Sequence, residues 1–106
     1  MTTPYQTTAP ERAAIDALVG ATVLDFGTDW CGYCRAAQPV IDTVLADHPG
    51  LRHLKIEDGP GRPLGRSFRV KLWPTLIFLR DGVEIDRVVR PSDGVDLRSA
   101  LQQVLG

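Results

Sequence analysis

Two cysteines three residues apart, Cys31 and Cys34, are the only thiols in the 106-residue chain. They stand in the run Trp30-Cys31-Gly32-Tyr33-Cys34. A pair so spaced at the start of a helix reaches disulfide geometry with little strain. The thiolate, not the thiol, is the nucleophile. A first cysteine at a helix amino end meets unpaired backbone N–H groups and the positive end of the helix dipole, and both favour that thiolate. Cys34, one turn further in, is expected to be shielded. The chemistry this describes is thiol–disulfide exchange: Cys31 attacks a substrate disulfide, and Cys34 then attacks Cys31 in the mixed disulfide and releases the product. Such a pair carries two electrons itself, so no cofactor is expected. As a permanent staple it would close a very short loop and remove little unfolded-state entropy.

The same cysteines admit a zinc reading. Thirteen residues separate Cys34 from His48, and four separate His48 from His53, which satisfies a generic Cys-x2-Cys…His-x(3–5)-His pattern. Geometry opposes it. A helix after Cys34 rises about 1.5 Å per residue and carries His48 roughly 20 Å away, whereas a zinc ligand sits about 2 Å from its metal. Pro49-Gly50 also breaks any helix that would present both histidines. No metal is expected.

The placement of the pair rests on the elements around it. Thr22 to Gly27 is a short apolar run, β-branched at its start, and reads as a buried strand ending just before the cysteines. One residue in it is out of place: Asp25, between Leu24 and Phe26. The segment from Cys34 to about His48 reads as a helix, with Val40, Val44, Leu45 and His48 on one face, Ile41 beside them and Pro39 as a kink. Leu51 to Glu57 alternates as a half-buried strand, with Leu54 and Ile56 on one side and His53 and Lys55 on the other.

The remaining elements follow the same signals. Residues 1–9 form a loose arm or a short edge strand near Tyr5. Pro10 opens a helix capped by Thr8 or Ala9, with a stripe of Ala14, Ile15, Leu18 and Val19 up to Gly20. Asp58 to Arg62 is a loop, and Pro63 to Val70 a short helix carrying Leu64 and Phe68. Thr75 to Leu79 is a strand, Asp81-Gly82 a hairpin turn, and Val83 to Val89 the partner strand with a slip or bulge. Ser92 caps a last helix with the stripe Leu97, Ala100, Leu101, Val104 and Leu105. The first β-α-β unit calls for parallel strands and a right-handed crossover. The expected fold is α/β: one domain over residues 10–106, its mixed central sheet of four or five strands flanked by helices on both faces.

Composition removes several classes of function. Formal net charge is −1, with both signs interspersed, and 43% of residues are hydrophobic. Nucleic acid and anionic membranes are not indicated as partners. No apolar run approaches the ~20 residues that cross a bilayer. Met1 to Ala9 lacks the charged and apolar regions of a signal peptide, so a cytoplasmic location is expected, where thiols are held reduced.

At these residues the chain resembles the thioredoxin family over nearly its whole length. The resemblance is carried by Val23-Leu24-Asp25-Phe26, by Trp30-Cys31-Gly32-x-Cys34, by Pro39 five residues after Cys34, and by Pro74-Thr75-Leu76 ahead of an apolar strand and Asp81-Gly82. It implies a thioredoxin-like fold and roles outside the pair. Pro74 would be a cis-proline packed on the cysteines, although the residues alone also fit a trans loop proline. Trp73 would offer its backbone to an extended substrate, and Trp30, Gly32 and Tyr33 would complete the substrate surface. Asp25 would be a buried acid beneath the cysteines. Lost hydration would raise its pKa and suit it to take the proton from Cys34 as Cys34 attacks; read without the family, it could also turn outward at an edge. Either His53 or Lys55 would lie beside it.

The chain also departs from the family. Tyr33 stands where a proline is usual, which keeps an N–H donor and predicts a more oxidising pair than typical thioredoxin through a better stabilised thiolate. Gly27 stands where tryptophan is frequent. Arg90-Pro91-Ser92 replaces a glycine-containing loop and should make the substrate groove more basic and stiffer. The expected function is a monomeric protein-disulfide reductase acting on disulfide-containing proteins and recharged by a thioredoxin-reductase-like donor. Alternatives are a disulfide oxidase or isomerase, which would need an oxidising compartment, and a non-catalytic client-binding or assembly module on the same fold.

Overall fold

Every residue from Thr22 to Gly27 is buried, so the strand that carries Asp25 has to lie inside a sheet covered on both faces. The computed structural model describes residues 3–106 and places this strand, β1 (Ala21–Gly27), at the centre. β2 (Arg52–Glu57) pairs with it in parallel and β3 (Thr75–Arg80) antiparallel; β4 (Val83–Val89) closes the far edge, giving the order β2-β1-β3-β4. The expected four or five strands are thus four among the described residues. Outside them, Gln6 makes one parallel bridge to Ile56 along the free edge of β2. Its N–H donates to the Lys55 carbonyl and its own carbonyl accepts from Glu57, both at 2.9 Å. The first two residues of the expected arm lie outside the described residues.

Alternation along the strands divides the core in two. Val23, Leu76, Phe78 and Val88 meet α2 (Gly32–Leu45) and α4 (Val95–Leu105) on one face. Leu24, Phe26, Ile77 and Leu79 meet α1 (Arg12–Asp16) and α3 (Pro63–Ser67) on the other. Asp25 and Gly27 share the parity of Val23 and so face the side on which α2 begins. The bulge lies where Phe78 pairs with Asp86 but Leu79 pairs with Glu84, leaving Ile85 as the extra residue.

Three local expectations need correction. The first helix starts at Arg12 with Glu11, not Thr8 or Ala9, at its N-cap and Pro10 outside it; it stops at Asp16, with Ala17 as its C-cap, and Val19 is 77% exposed. Gly20 turns the chain at a φ of 85° while its N–H donates to the Asp81 carboxylate at 2.7 Å, so the chain leaves the helix before Val19 can join the stripe, although Leu18 still packs against the core beside Ile15. On α2 the buried line is Ala37, Ile41 and Val44, with Val40 and Leu45 flanking it. Gln38, polar yet buried, shares this side of the helix because it answers Lys55. The last helix is capped at Gly94, and the Asp93 carboxylate, not Ser92, accepts the Val95 N–H at 3.1 Å.

Candidate active site

Four residues, Thr28 to Cys31, carry the chain from β1 to α2. Cys31 is the N-cap of α2, with extended backbone, and its sulfur accepts the Cys34 N–H at 3.2 Å. A sulfur therefore fills the place where a Ser, Thr or Asp oxygen usually satisfies a free helix N–H. Both cysteines are free thiols. Cys31 is 9% exposed and Cys34 2%, so the first cysteine is more covered than an open nucleophile would be. The cover is Trp73, packed against the cluster of Tyr5, Cys31 and Cys34. Burial, followed by hydrogen bonding with Cys31, pushes the Cys34 thiol up to about 12. The inner sulfur therefore keeps its proton at neutral pH.

Asp25 is fully buried on the same side of the sheet. Its Oδ1 accepts a 2.8 Å hydrogen bond from the Tyr5 hydroxyl, and its Oδ2 lies 3.4 Å from His53 Nε2. Between His53 and Lys55, it is His53 that reaches the carboxylate. Lys55 is the Cα partner of Asp25 across the ladder, yet its ammonium turns aside to Gln38 Oε1 at 2.8 Å and the Thr3 carbonyl at 2.5 Å, with the Tyr5 ring 4.4 Å away.

The Tyr5 hydroxyl is held at this depth by an absence on β1. A Cβ at Gly27 would lie 2.5 Å from Cys34 Sγ and 2.8 Å from the Tyr5 oxygen. Glycine in a strand interior is unfavourable and commonly marks such a close approach. Burial first, then the Asp25 charge and hydrogen bond, push the Tyr5 phenol well above its ordinary range.

Above the sulfurs the surface is aromatic. Trp30 and Tyr33 are largely exposed. Trp30 meets Trp73 edge to face at 5.8 Å, and the Trp73 indole donates to Asp58 Oδ2 at 2.9 Å. The Trp73–Pro74 bond is cis, and Pro74 is buried. Gly32 has open space where a side chain would stand. The Arg90 guanidinium lies 3.7 Å from the Tyr33 ring centroid, and its Nε donates to the Trp73 carbonyl at 2.8 Å. A groove of about 380 Å³ runs between Tyr33, Ala36, Arg90 and Pro91. The sequence placed Cys31, Cys34 and Asp25 in one cluster and Trp30, Tyr33, Trp73 and Pro74 around it. It did not bring in Tyr5, Gln38 or Asp58.

This arrangement can take up and release two electrons through one reversible S–S bond, and Tyr5, packed against the inner sulfur, links it to a buried carboxylate. Comparison with known proteins agrees. The family model described as Thioredoxin matches residues 7–103. The chain is 34% identical over 89 residues to the thioredoxin of Chlamydia trachomatis serovar D, covering 83% of this chain and 86% of that one. It is 37% identical over 75 residues to the thioredoxin of Chlamydia muridarum, covering 70% and 72%. Among solved structures, the reduced form of thioredoxin 2 from Pseudomonas aeruginosa PAO1 superposes with a TM-score of 0.89 at 56% identity, over 100% of this chain and 98% of that one. The chain belongs to the thioredoxin family. It is a thiol–disulfide oxidoreductase, an enzyme that reduces disulfides in proteins. Among the described residues no helix is long and apolar enough to cross a membrane.

Proposed function

We propose that Cys31 is the attacking thiol, Cys34 the resolving thiol and Asp25 the proton acceptor of a cytoplasmic, monomeric protein-disulfide reductase. The Cys31 thiolate attacks one sulfur of a substrate disulfide, forming a mixed disulfide and expelling the other substrate sulfur as a thiolate. Cys34 then gives up its proton toward Asp25 and attacks Cys31 Sγ. The Cys31–Cys34 bond forms, the mixed disulfide breaks, and the second substrate sulfur leaves. The substrate gains the two electrons that the dithiol loses. A thioredoxin-reductase-like donor would return them to the pair.

The observation that carries this reading is the 3.2 Å donation from the Cys34 N–H to Cys31 Sγ at the helix N-cap. It joins the outer sulfur to a helix terminus, where negative charge is stabilised. Trp30, Gly32, Tyr33, Trp73 and Pro74 form the proposed substrate surface. Because the Trp73 carbonyl is already engaged by Arg90, a substrate strand would have to compete with that guanidinium. The arginine also gives the groove the basic character that favours acidic or neutral segments around the target cysteine. The functional unit is residues 10–106 together with the part of the arm that carries Tyr5.

Reduction of insulin disulfides by dithiothreitol tests the assignment. The native chain should accelerate it, and Cys31→Ser and Cys34→Ser should each abolish the acceleration. Unchanged activity in either variant would remove that cysteine from the mechanism. Intact partner binding by two inactive variants would instead favour the client-binding module.

A further inference from the structure

Cys34 must shed a proton to attack, and the side chains in hydrogen-bonding contact with it are Cys31 and Tyr5. Tyr5 is the side chain that interacts with both Cys34 and Asp25. Its hydroxyl donates to Asp25 Oδ1 at 2.8 Å. Its oxygen and Cys34 Sγ both crowd the point where a Gly27 Cβ would be, at 2.8 and 2.5 Å. A phenol can donate one proton and accept another, so thiol, phenol and carboxylate form an ordered chain.

The phenol is also held in place. The Tyr5 N–H donates to Asp29 Oδ1 at 3.0 Å, the bridge at Gln6 fixes the next residue to β2, and the side chain is 5% exposed. Nothing in the exchange of two cysteines requires a tyrosine from the amino-terminal arm to be buried against them.

We propose that Tyr5 is the proton carrier between Cys34 and Asp25. As Cys34 attacks, its thiol proton passes to the Tyr5 oxygen while the Tyr5 hydroxyl proton passes to Asp25 Oδ1. Cys34 Sγ bonds to Cys31 Sγ, the mixed disulfide breaks and the second substrate sulfur leaves as thiolate, while Asp25 ends protonated and Tyr5 is unchanged; reduction of the pair runs the same path backwards. Tyr5 exchanges no electrons. This inference rests on the reading of Asp25 as the acceptor given above. The groups that face this path are His53 on the second Asp25 oxygen, Lys55 over the Tyr5 ring, Asp29 at the Tyr5 N–H and Cys31 beside Cys34.

Single-turnover kinetics separate the steps. With excess protein and a small aromatic disulfide, attack by Cys31 and resolution by Cys34 are followed through release of the first and second chromophoric thiol. In Tyr5→Phe the first release should be unchanged and the second slowed about tenfold or more, with mixed disulfide accumulating, since positioned proton transfer contributes ~10²–10⁴-fold and water can replace part of it. Resolution in H₂O/D₂O mixtures should depend on deuterium fraction along a curve in the native chain, for two protons in flight, and along a line in Tyr5→Phe. Asp25→Asn should slow the same step, and the double variant should be no slower than the slower single one.

If Asp25→Asn slows resolution and Tyr5→Phe leaves it within twofold of native with the same isotope dependence, the relay is overturned while the acceptor stands. Losses that multiply in the double variant also overturn the relay. If Asp25→Asn has no effect, the acceptor reading fails and the relay with it. Should Tyr5→Phe not fold, fluorotyrosines placed at position 5 alone keep the ring and hydroxyl. The resolution rate should then vary with phenol acidity; no variation would overturn the proposal.

Discussion

Replacing Gly27 by alanine tests the packing on which the site depends. Carbon atoms in contact settle at about 3.5–4.0 Å, and the new methyl would meet Cys34 Sγ at 2.5 Å and the Tyr5 oxygen at 2.8 Å. Neither neighbour is free to retreat. Tyr5 is tethered to Asp25 at 2.8 Å, and Cys34 sits in the first turn of α2. Forcing an extra methyl into a packed core costs about 1–3 kcal/mol. Against this, alanine in place of glycine restricts the unfolded chain and returns about 0.4–1 kcal/mol. Both contacts fall under 3.0 Å, so the cost lies in the upper half of that range; the net should be a loss of roughly 1–2.6 kcal/mol, which for a domain near 100 residues lowers the melting temperature by roughly 4–20 °C. Urea unfolding of the dithiol form, followed by far-UV circular dichroism under dithiothreitol, reads the change. The resolving step should slow as well, because the displaced atoms are the thiol and the phenol. A Gly27→Ala variant as stable as the native chain, or more so, would refute the reasoning, since the space would then not be filled as described.

Further expectations bear on the same region. Cys34→Ser should accumulate a stable mixed disulfide through Cys31, visible by mass on a non-reducing gel, whereas Cys31→Ser should trap none. Burial raises the Cys34 thiol from 9.0 to about 12, so on raising pH the unfolded chain ionises first. The contribution of this thiol to stability is complete below about pH 9 and is lost progressively towards pH 12. Urea midpoints of the dithiol form should fall over that window more steeply than those of the disulfide form, which has no thiol to titrate. Asp58→Ala removes the charged acceptor of the Trp73 indole and should cost about 1 kcal/mol, less than the ~1.5–3 of a fully buried charged bond because this one is partly exposed, with KM for insulin raised more than kcat is lowered. Arg90→Ala should change KM for insulin, since it strips the guanidinium from the Tyr33 ring and frees the Trp73 carbonyl; an unchanged KM would show that neither contact faces the substrate.

The elements around the cysteines were legible because their signals are local. The apolar run of β1, the Asp81-Gly82 turn and the period of the last helix each point one way, and they correspond to β1, the β3–β4 hairpin and α4. Asp25 stood out as a carboxyl in an apolar strand. What stayed hidden came from distant segments meeting. The interaction of Tyr5 with Asp25 spans 20 residues and that of Lys55 with Gln38 spans 17, and no periodicity records such a pairing. Gly27 was a visible sign of missing volume, but the sequence did not say which side chain fills it. The choice between His53 and Lys55 was likewise beyond a parity argument, since both lie on one side of β2; it was decided by Gln38, which draws the ammonium away. The early stop of α1 follows from the Gly20–Asp81 contact, again a tertiary event.

Titration of the purified protein against glutathione redox buffers, with acid quenching and counting of alkylated thiols by mass, puts the two sulfurs to the most direct test. The account expects Cys31 and Cys34 to lose their thiols together, in one two-electron transition, to an internal disulfide. Stepwise glutathione capture at one cysteine, with the other still alkylated and no internal bond at any potential, would contradict it.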